Sequence, residues 1–138
     1  MTYKEVEQAL NTARDLGFEI AAKREAKDEL LAIAASITSQ LRGDAGTSAS
    51  KDPHAKMENY AIKVEELTDQ IRKLLNRRNR MMEMIELVED SRCRGVLTEY
   101  YINRKSWDEV ADALKLEPDA KYVFRLRREA IEEICKKI

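Results

Sequence analysis

Apolar residues recur three or four positions apart early in the chain: Val6, Leu10, Ala13, Leu16 and Ile20, then Leu30, Ala34, Ile37 and Leu41. That spacing keeps one helical face apolar, and no proline interrupts it, so one long helix is expected from Tyr3 to about Leu41. Lys23 and Lys27 fall where the stripe should continue, and Gly17 lies beside it, so a kink or local wetting is expected mid-helix. The segment from Gly43 to Ala55 collects Gly, Ser, Asp and Pro without periodicity and reads as a flexible surface loop. From about Lys56 to Asp90 the pattern returns as Met57, Tyr60, Val64, Leu67, Ile71, Leu74, Met81, Ile85 and Val88. This is a heptad seam interrupted only by Arg78, whose methylene stem can lie along it. Neither helix can bury its stripe alone, so the two should form an antiparallel hairpin, with Leu41 near Met57 and Val6 near the end of the second helix. A rod of residues 3–42 is roughly 60 Å long with a thin core. Such a hairpin calls for oligomerisation or for docking onto the C-terminal helices.

The last third has a shorter rhythm. A helix is expected from about Arg92 to Ile102, carrying Val96, Leu97, Tyr100 and Tyr101, and Asn103-Arg104-Lys105 ends it. Ser106, three residues before Glu109, forms a capping box for a second helix from Trp107 to Leu114. Pro118 suits the first position of a third helix running toward Ile138. The expected fold is therefore all-α: residues 1–90 form the helical hairpin with its loop at 43–55, and residues 91–138 form a three-helix helix-turn-helix head.

Composition agrees and narrows the function classes. The 138 residues suit one domain, or one small domain with an appended element, and exclude a large multidomain enzyme. With 37% charged and 43% hydrophobic residues and only 4 Gly and 2 Pro, long amphipathic helices fit better than sheets. The formal net charge is −1, which gives no bulk attraction to nucleic acid or acidic membranes. Residues 91–138 nevertheless hold 11 of the 25 basic and 9 of the 26 acidic residues, so the positive charge is C-terminal. The longest apolar run, Leu30 to Ile37, is too short to span a bilayer, and no membrane partner is expected. No leader-like segment opens the sequence, and Cys93 and Cys135 make no disulfide or zinc pattern, so a reducing cytoplasm is expected.

The third helix of the head carries the candidate chemistry. At 100° per residue, Lys121, Arg125, Arg128 and Glu132 share one face, and Val123, Leu126, Ala130 and Ile134 share nearly the opposite one. One face packs and the other is basic, as a helix that enters the major groove requires, because Arg and Lys hold phosphates or pair with guanine edges. Tyr122, at the edge of that face, can hydrogen-bond a phosphate, and Arg104 and Lys105 in the inter-helix turn add further cations. Trp107, Val110, Ala111, Leu114, Val123 and Leu126 point inward and form the expected core of the head.

Two stretches carry a family resemblance: Leu97-Thr-Glu-Tyr-Tyr-Ile-Asn-Arg-Lys-Ser-Trp-Asp-Glu-Val-Ala-Asp-Ala-Leu114 and Tyr122-Val-Phe-Arg-Leu-Arg-Arg-Glu-Ala-Ile131. They resemble the region 4 helix-turn-helix of sigma-70-type factors, and most closely the small sigma-like transcriptional regulators of phages and prophages. The resemblance implies a duplex-DNA partner, a role in phage transcription control and host RNA polymerase as a further partner. Two departures mark this chain. Lys115 stands where the family usually has Gly, and the turn through Leu116-Glu-Pro-Asp-Ala120 is two residues longer than usual. Ala120 and Phe124 also occupy the early part of the reading helix, where the family places polar side chains, and Glu117 and Asp119 lie near its entrance.

Other chemistry is sparse. His54, the only histidine, sits in the loop without a ligand cluster, so neither a metal nor another cofactor is expected. The neighbouring acids Glu65-Glu66, Glu89-Asp90 and Glu132-Glu133 read as solvated surface rather than acid/base couples, and no catalytic set is visible. Cys93 and Cys135 read as buried or half-buried thiols, and the Met residues as seam fillers. Arg77-Arg78-Asn79-Arg80 reads as a wet helical face, with a second phosphate patch as the alternative. The sequence thus points to a cytoplasmic, non-enzymatic DNA-binding regulator whose hairpin oligomerises or recruits a partner. The rival readings are a helical interaction protein without DNA binding and a DNA-packaging adaptor.

Overall fold

The computed structural model describes residues 1–43, 53–115 and 120–138, without the side chains of residues 40–43, 53 and 120. Most of the expected loop at 43–55, together with Leu116, Glu117, Pro118 and Asp119, lies outside the described residues. All the described elements are helical: α1 (Tyr3–Gly43), α2 (Pro53–Ile85), α3 (Ser91–Leu97) running into a π-helical segment (Thr98–Ile102), α4 (Trp107–Ala113) and α5 (Ala120–Lys137). Among the described residues no helix is long and apolar enough to cross a membrane.

The contacts divide the chain into two compact units, Met1–Glu19 with Leu74–Ile138, and Ile20–Lys73. The border expected at residue 90 is therefore not where the chain divides, because the first turns of α1 belong to the core of the head. Val6, Leu10 and Ala13 are completely buried and join one cluster with Ile85, Val88, Val96, Leu97, Tyr101, Ile131 and Ile134. Val6 thus shares a core with residues at the end of α2, as the antiparallel hairpin requires. Within the second unit, α1 and α2 run antiparallel. Lys23 Nζ donates to Gln70 Oε1 at 2.8 Å, and the Thr38 hydroxyl lies 3.7 Å from Met57 Sδ. α1 is one helix through the stretch where a kink or local wetting is expected, and Lys23 reaches a polar partner on α2 there.

Each junction in the head has a chemical cause. Asp90 caps α3 by accepting from the amides of Arg92 at 2.8 Å and Cys93 at 3.1 Å. Those backbone hydrogen bonds, Cys93's foremost, hold its carboxyl below the usual carboxylate range. The turn after the π segment closes on a left-handed residue. Lys105 N donates to Glu99 O at 3.0 Å, while Arg104 takes the left-handed conformation at φ 61°. The expected capping box is present, with Glu109 N donating to Ser106 Oγ at 3.3 Å and Ser106 N to Glu109 Oε1 at 3.2 Å.

The turn after α4 also enters the left-handed region, and it does so at Lys115, φ 54°. A side chain there costs roughly 1 to 2 kcal/mol over glycine's backbone freedom, part of which glycine returns as unfolded-state entropy. Lys115→Gly is therefore expected to raise stability by about 0.5 to 1 kcal/mol, read from the midpoint of urea unfolding. An unchanged or lower midpoint would show that the Lys115 side chain contributes more than the backbone loses.

Candidate nucleic-acid interface

The two faces of α5 separate as its sequence requires. Val123, Leu126, Ala130 and Ile134 are buried, and Lys121, Arg125, Arg128 and Glu132 are exposed. The hydrophobic face docks onto α3 and α4, which fixes the direction of the basic face. Arg125 forms an i,i+4 pair with Glu129 at 3.5 Å, and both side chains stay more than half exposed, so the pair is weak enough to yield to a phosphate. The Arg128 side chain has no ion pair or hydrogen bond among the described residues.

Tyr122 gathers two cations. Its hydroxyl accepts from Arg92 Nη1 at 3.3 Å, and the Arg125 guanidinium carbon lies 5.3 Å from its ring centroid. Arg92 thereby joins the basic face from α3. Sequence spacing on α5 alone does not reveal Arg92, since its place depends on how α3 packs against α5.

Arg104 and Lys105 have other engagements. The Arg104 stem runs over Gly17 so closely that a Cβ there would lie 3.0 Å from its Cδ, and its guanidinium sits 5.2 Å from the Phe18 ring centroid. Gly17 is thus a contact point for the turn. Lys105 pairs with Glu99, and this hydrogen bond, with a second from Asn103, holds the Glu99 carboxyl below its usual range. Lys105 also lines a shallow hollow with Glu109 and Asp112, two carboxylates that repel phosphate. The turn's two cations thus contact α1 and acidic neighbours, while Arg92 and Arg125 meet at Tyr122 and Lys121 and Arg128 are exposed on α5.

The expected core of the head divides in the same way. Val110, Ala111, Val123 and Leu126 are buried, while Trp107 and Leu114 are half-buried against the cluster. Leu114 fits because α3 has Gly95 opposite it: a Cβ there would lie 2.9 Å from Leu114 Cδ2. The Trp107 ring stacks on Tyr100 at 3.7 Å between centroids and 8° between planes, and meets the exposed Phe124 edge-on at 5.0 Å. Its partial exposure puts Trp107→Ala at about 2 to 3 kcal/mol, below the range for a fully buried aromatic. Thermal unfolding checks this, and an unchanged Tm would remove Trp107 as an anchor.

Two arginines hold α1 to the head, and neither stands out in the sequence. Arg14 donates to the Tyr100 carbonyl and, at 3.1 Å, to the Lys105 carbonyl, with its guanidinium 4.0 Å from the Tyr100 ring centroid. It satisfies carbonyls that the π segment and its turn leave without helical partners. Arg127 donates to the hydroxyl of the buried Tyr101 at 2.8 Å and to Glu7 Oε2 at 2.7 Å. Burial pushes the Cys93 thiol up to about 11, so it is protonated at neutral pH and serves as a core residue.

A family model described as a protein of unknown function (DUF1492) matches residues 45–135, a span that takes in α2 and nearly all of the head. No curated protein matches the chain, and no solved structure does.

Proposed function

The chain belongs to the DUF1492 family, and from that starting point we propose that it is a DNA-binding transcriptional regulator of the phage sigma-like kind, anchoring on duplex DNA through α5. One observation carries the reading. The basic residues of α5 face solvent together, while its opposite face supplies buried core, so the helix can enter a major groove without unpacking the head. Arg92, Lys121, Arg125 and Arg128 would hold phosphates or guanine edges, and Tyr122 would donate its hydroxyl to a phosphate. Arg104 and Lys105 serve the turn instead. The resemblance of Leu97 to Leu114 to sigma region 4 supports the same reading and makes host RNA polymerase a second partner by analogy. The protein would act in the cytoplasm and perform no catalytic step.

Fluorescence anisotropy with labelled duplexes of mixed sequence tests this directly. Saturable binding by the intact chain is expected at about 50 mM salt, a condition permissive for phosphate contacts. A folded chain that leaves every duplex free would instead favour a helical interaction protein, with α5 a packing element whose outer face is merely solvated.

A further inference from the structure

Phe124 is the fifth residue of α5 and, among the described residues of that helix, its one large hydrophobic side chain left exposed, at 44%. The helix does not need it for packing, since Val123, Leu126, Ala130, Ile131 and Ile134 supply the buried face. Its ring is nevertheless held in place. It meets Trp107 edge-on at 5.0 Å, and Trp107 in turn stacks on Tyr100 at 3.7 Å, so the three rings form a column with Phe124 outermost. Cations flank that outer end. Lys121 lies three residues before Phe124 and Arg128 four after it, the spacing of neighbours on a helix surface, and both are exposed.

We propose that Phe124 reads the C5 methyl group of a pyrimidine in the major groove, which in ordinary DNA is the methyl of thymine. The inference rests on the DNA-binding reading and deepens it by giving the basic face of α5 a base preference. Cations on both sides of the ring call for a polyanion, yet phosphates alone give an apolar ring nothing to cover. The base edges in the major groove present hydrogen-bond donors and acceptors, and the thymine methyl is the apolar exception. A phenyl ring makes no such hydrogen bond, so the methyl is the feature it can distinguish. Position agrees, because the N-terminal residues of a groove-entering helix are the ones that meet base edges. The contact with Trp107 also orients the ring beforehand, so little side-chain freedom is lost on docking and the burial of ring and methyl is kept as affinity. A protein partner fits this spot less well: interface centres are depleted of charge, and Phe124 has Lys121 and Arg128 beside it.

Duplexes that the intact chain retains from a random-sequence pool, sequenced and then measured one by one by fluorescence anisotropy, test the contact. One position is expected to be enriched in thymine. Replacing that thymine with deoxyuracil, which lacks only the methyl group, should weaken binding by about fourfold, the effect of burying one methyl. 5-Methylcytosine at the same position, opposite guanine, should bind more tightly than cytosine by a similar factor. Phe124→Ala should bind the thymine and uracil duplexes equally and keep the salt dependence of the wild type, since every cation remains. Its circular dichroism should be unchanged, because the ring is exposed and alanine favours helix. A folded chain that binds no duplex overturns the DNA reading and this contact with it. Binding without thymine enrichment, equal wild-type affinity for the thymine and uracil duplexes, or a methyl effect that persists in Phe124→Ala overturns the methyl contact alone and leaves Phe124 as a seat for a protein partner.

Discussion

Replacing Leu10 with alanine is expected to destabilise the head by about 3 to 5 kcal/mol, although Leu10 lies more than eighty residues from any head helix in the chain. Leu10 is completely buried on α1 between Val6 and Ala13, and shares its cluster with Leu97, Tyr101 and Ile131. Truncation removes the transfer energy of its side chain and leaves a cavity walled by residues already fixed by other contacts. Domains of this size are stable by about 5 to 15 kcal/mol, so the loss takes a large share of the total. Trp107 is the only tryptophan and sits in the head, so its fluorescence during urea unfolding reports the effect where it matters. Leu31→Ala removes the same atoms from a side chain 46% exposed and is expected to change stability by less than about 1 kcal/mol. An unfolding midpoint for Leu10→Ala equal to that of the wild type would show that α1 is not part of the head's core.

Replacing Lys121, Arg125 and Arg128 together by alanine is expected to lower duplex affinity at least a hundredfold at moderate salt while leaving the fold intact. Each phosphate or base-edge contact contributes on the order of 1 to 3 kcal/mol, and three lost contacts exceed the roughly 2.7 kcal/mol that a hundredfold represents. The fold survives because all three side chains are exposed, and alanine is the best helix former. Arg104→Ala should behave in the opposite way, with little effect on affinity and a measurable loss of stability, since its stem covers Gly17 and its guanidinium lies over Phe18. A triple variant that binds as the wild type does would remove α5 as the contact surface.

What the sequence disclosed and what it withheld follow from the range of the interactions. The helices, the Ser106 capping box and the two faces of α5 are local: they depend on residues within a few positions of one another, and spacing alone reveals them. The assignment of α1's first turns to the head is not local. Val6, Leu10 and Ala13 show the same periodicity as the rest of the stripe, and nothing in that periodicity tells which helices will cover them. Arg14 and Arg127 look like ordinary solvated charges on amphipathic helices, yet their partners lie 86 and 120 residues away in Tyr100 and Glu7. The π segment escapes periodicity as well, because one extra residue in a turn leaves no compositional trace. Of the candidate site residues, the common exposed face of those on α5 was legible because a helix fixes their direction. The engagements of Arg104 and Lys105 were not legible, because a left-handed turn residue and a nearby Glu99 set them.

The salt dependence of duplex binding by the intact chain tests the central claim most directly. Four phosphate-neutralising cations, Arg92, Lys121, Arg125 and Arg128, predict a slope of about −3 to −4 per bound chain for log affinity against log salt, through counterion release. The slope should shallow by about 1 for each of these cations removed, and stay unchanged for Arg104→Ala or Lys105→Ala. A folded chain with no binding near about 50 mM salt, or binding whose slope is near zero, would contradict recognition of DNA by the basic face of α5.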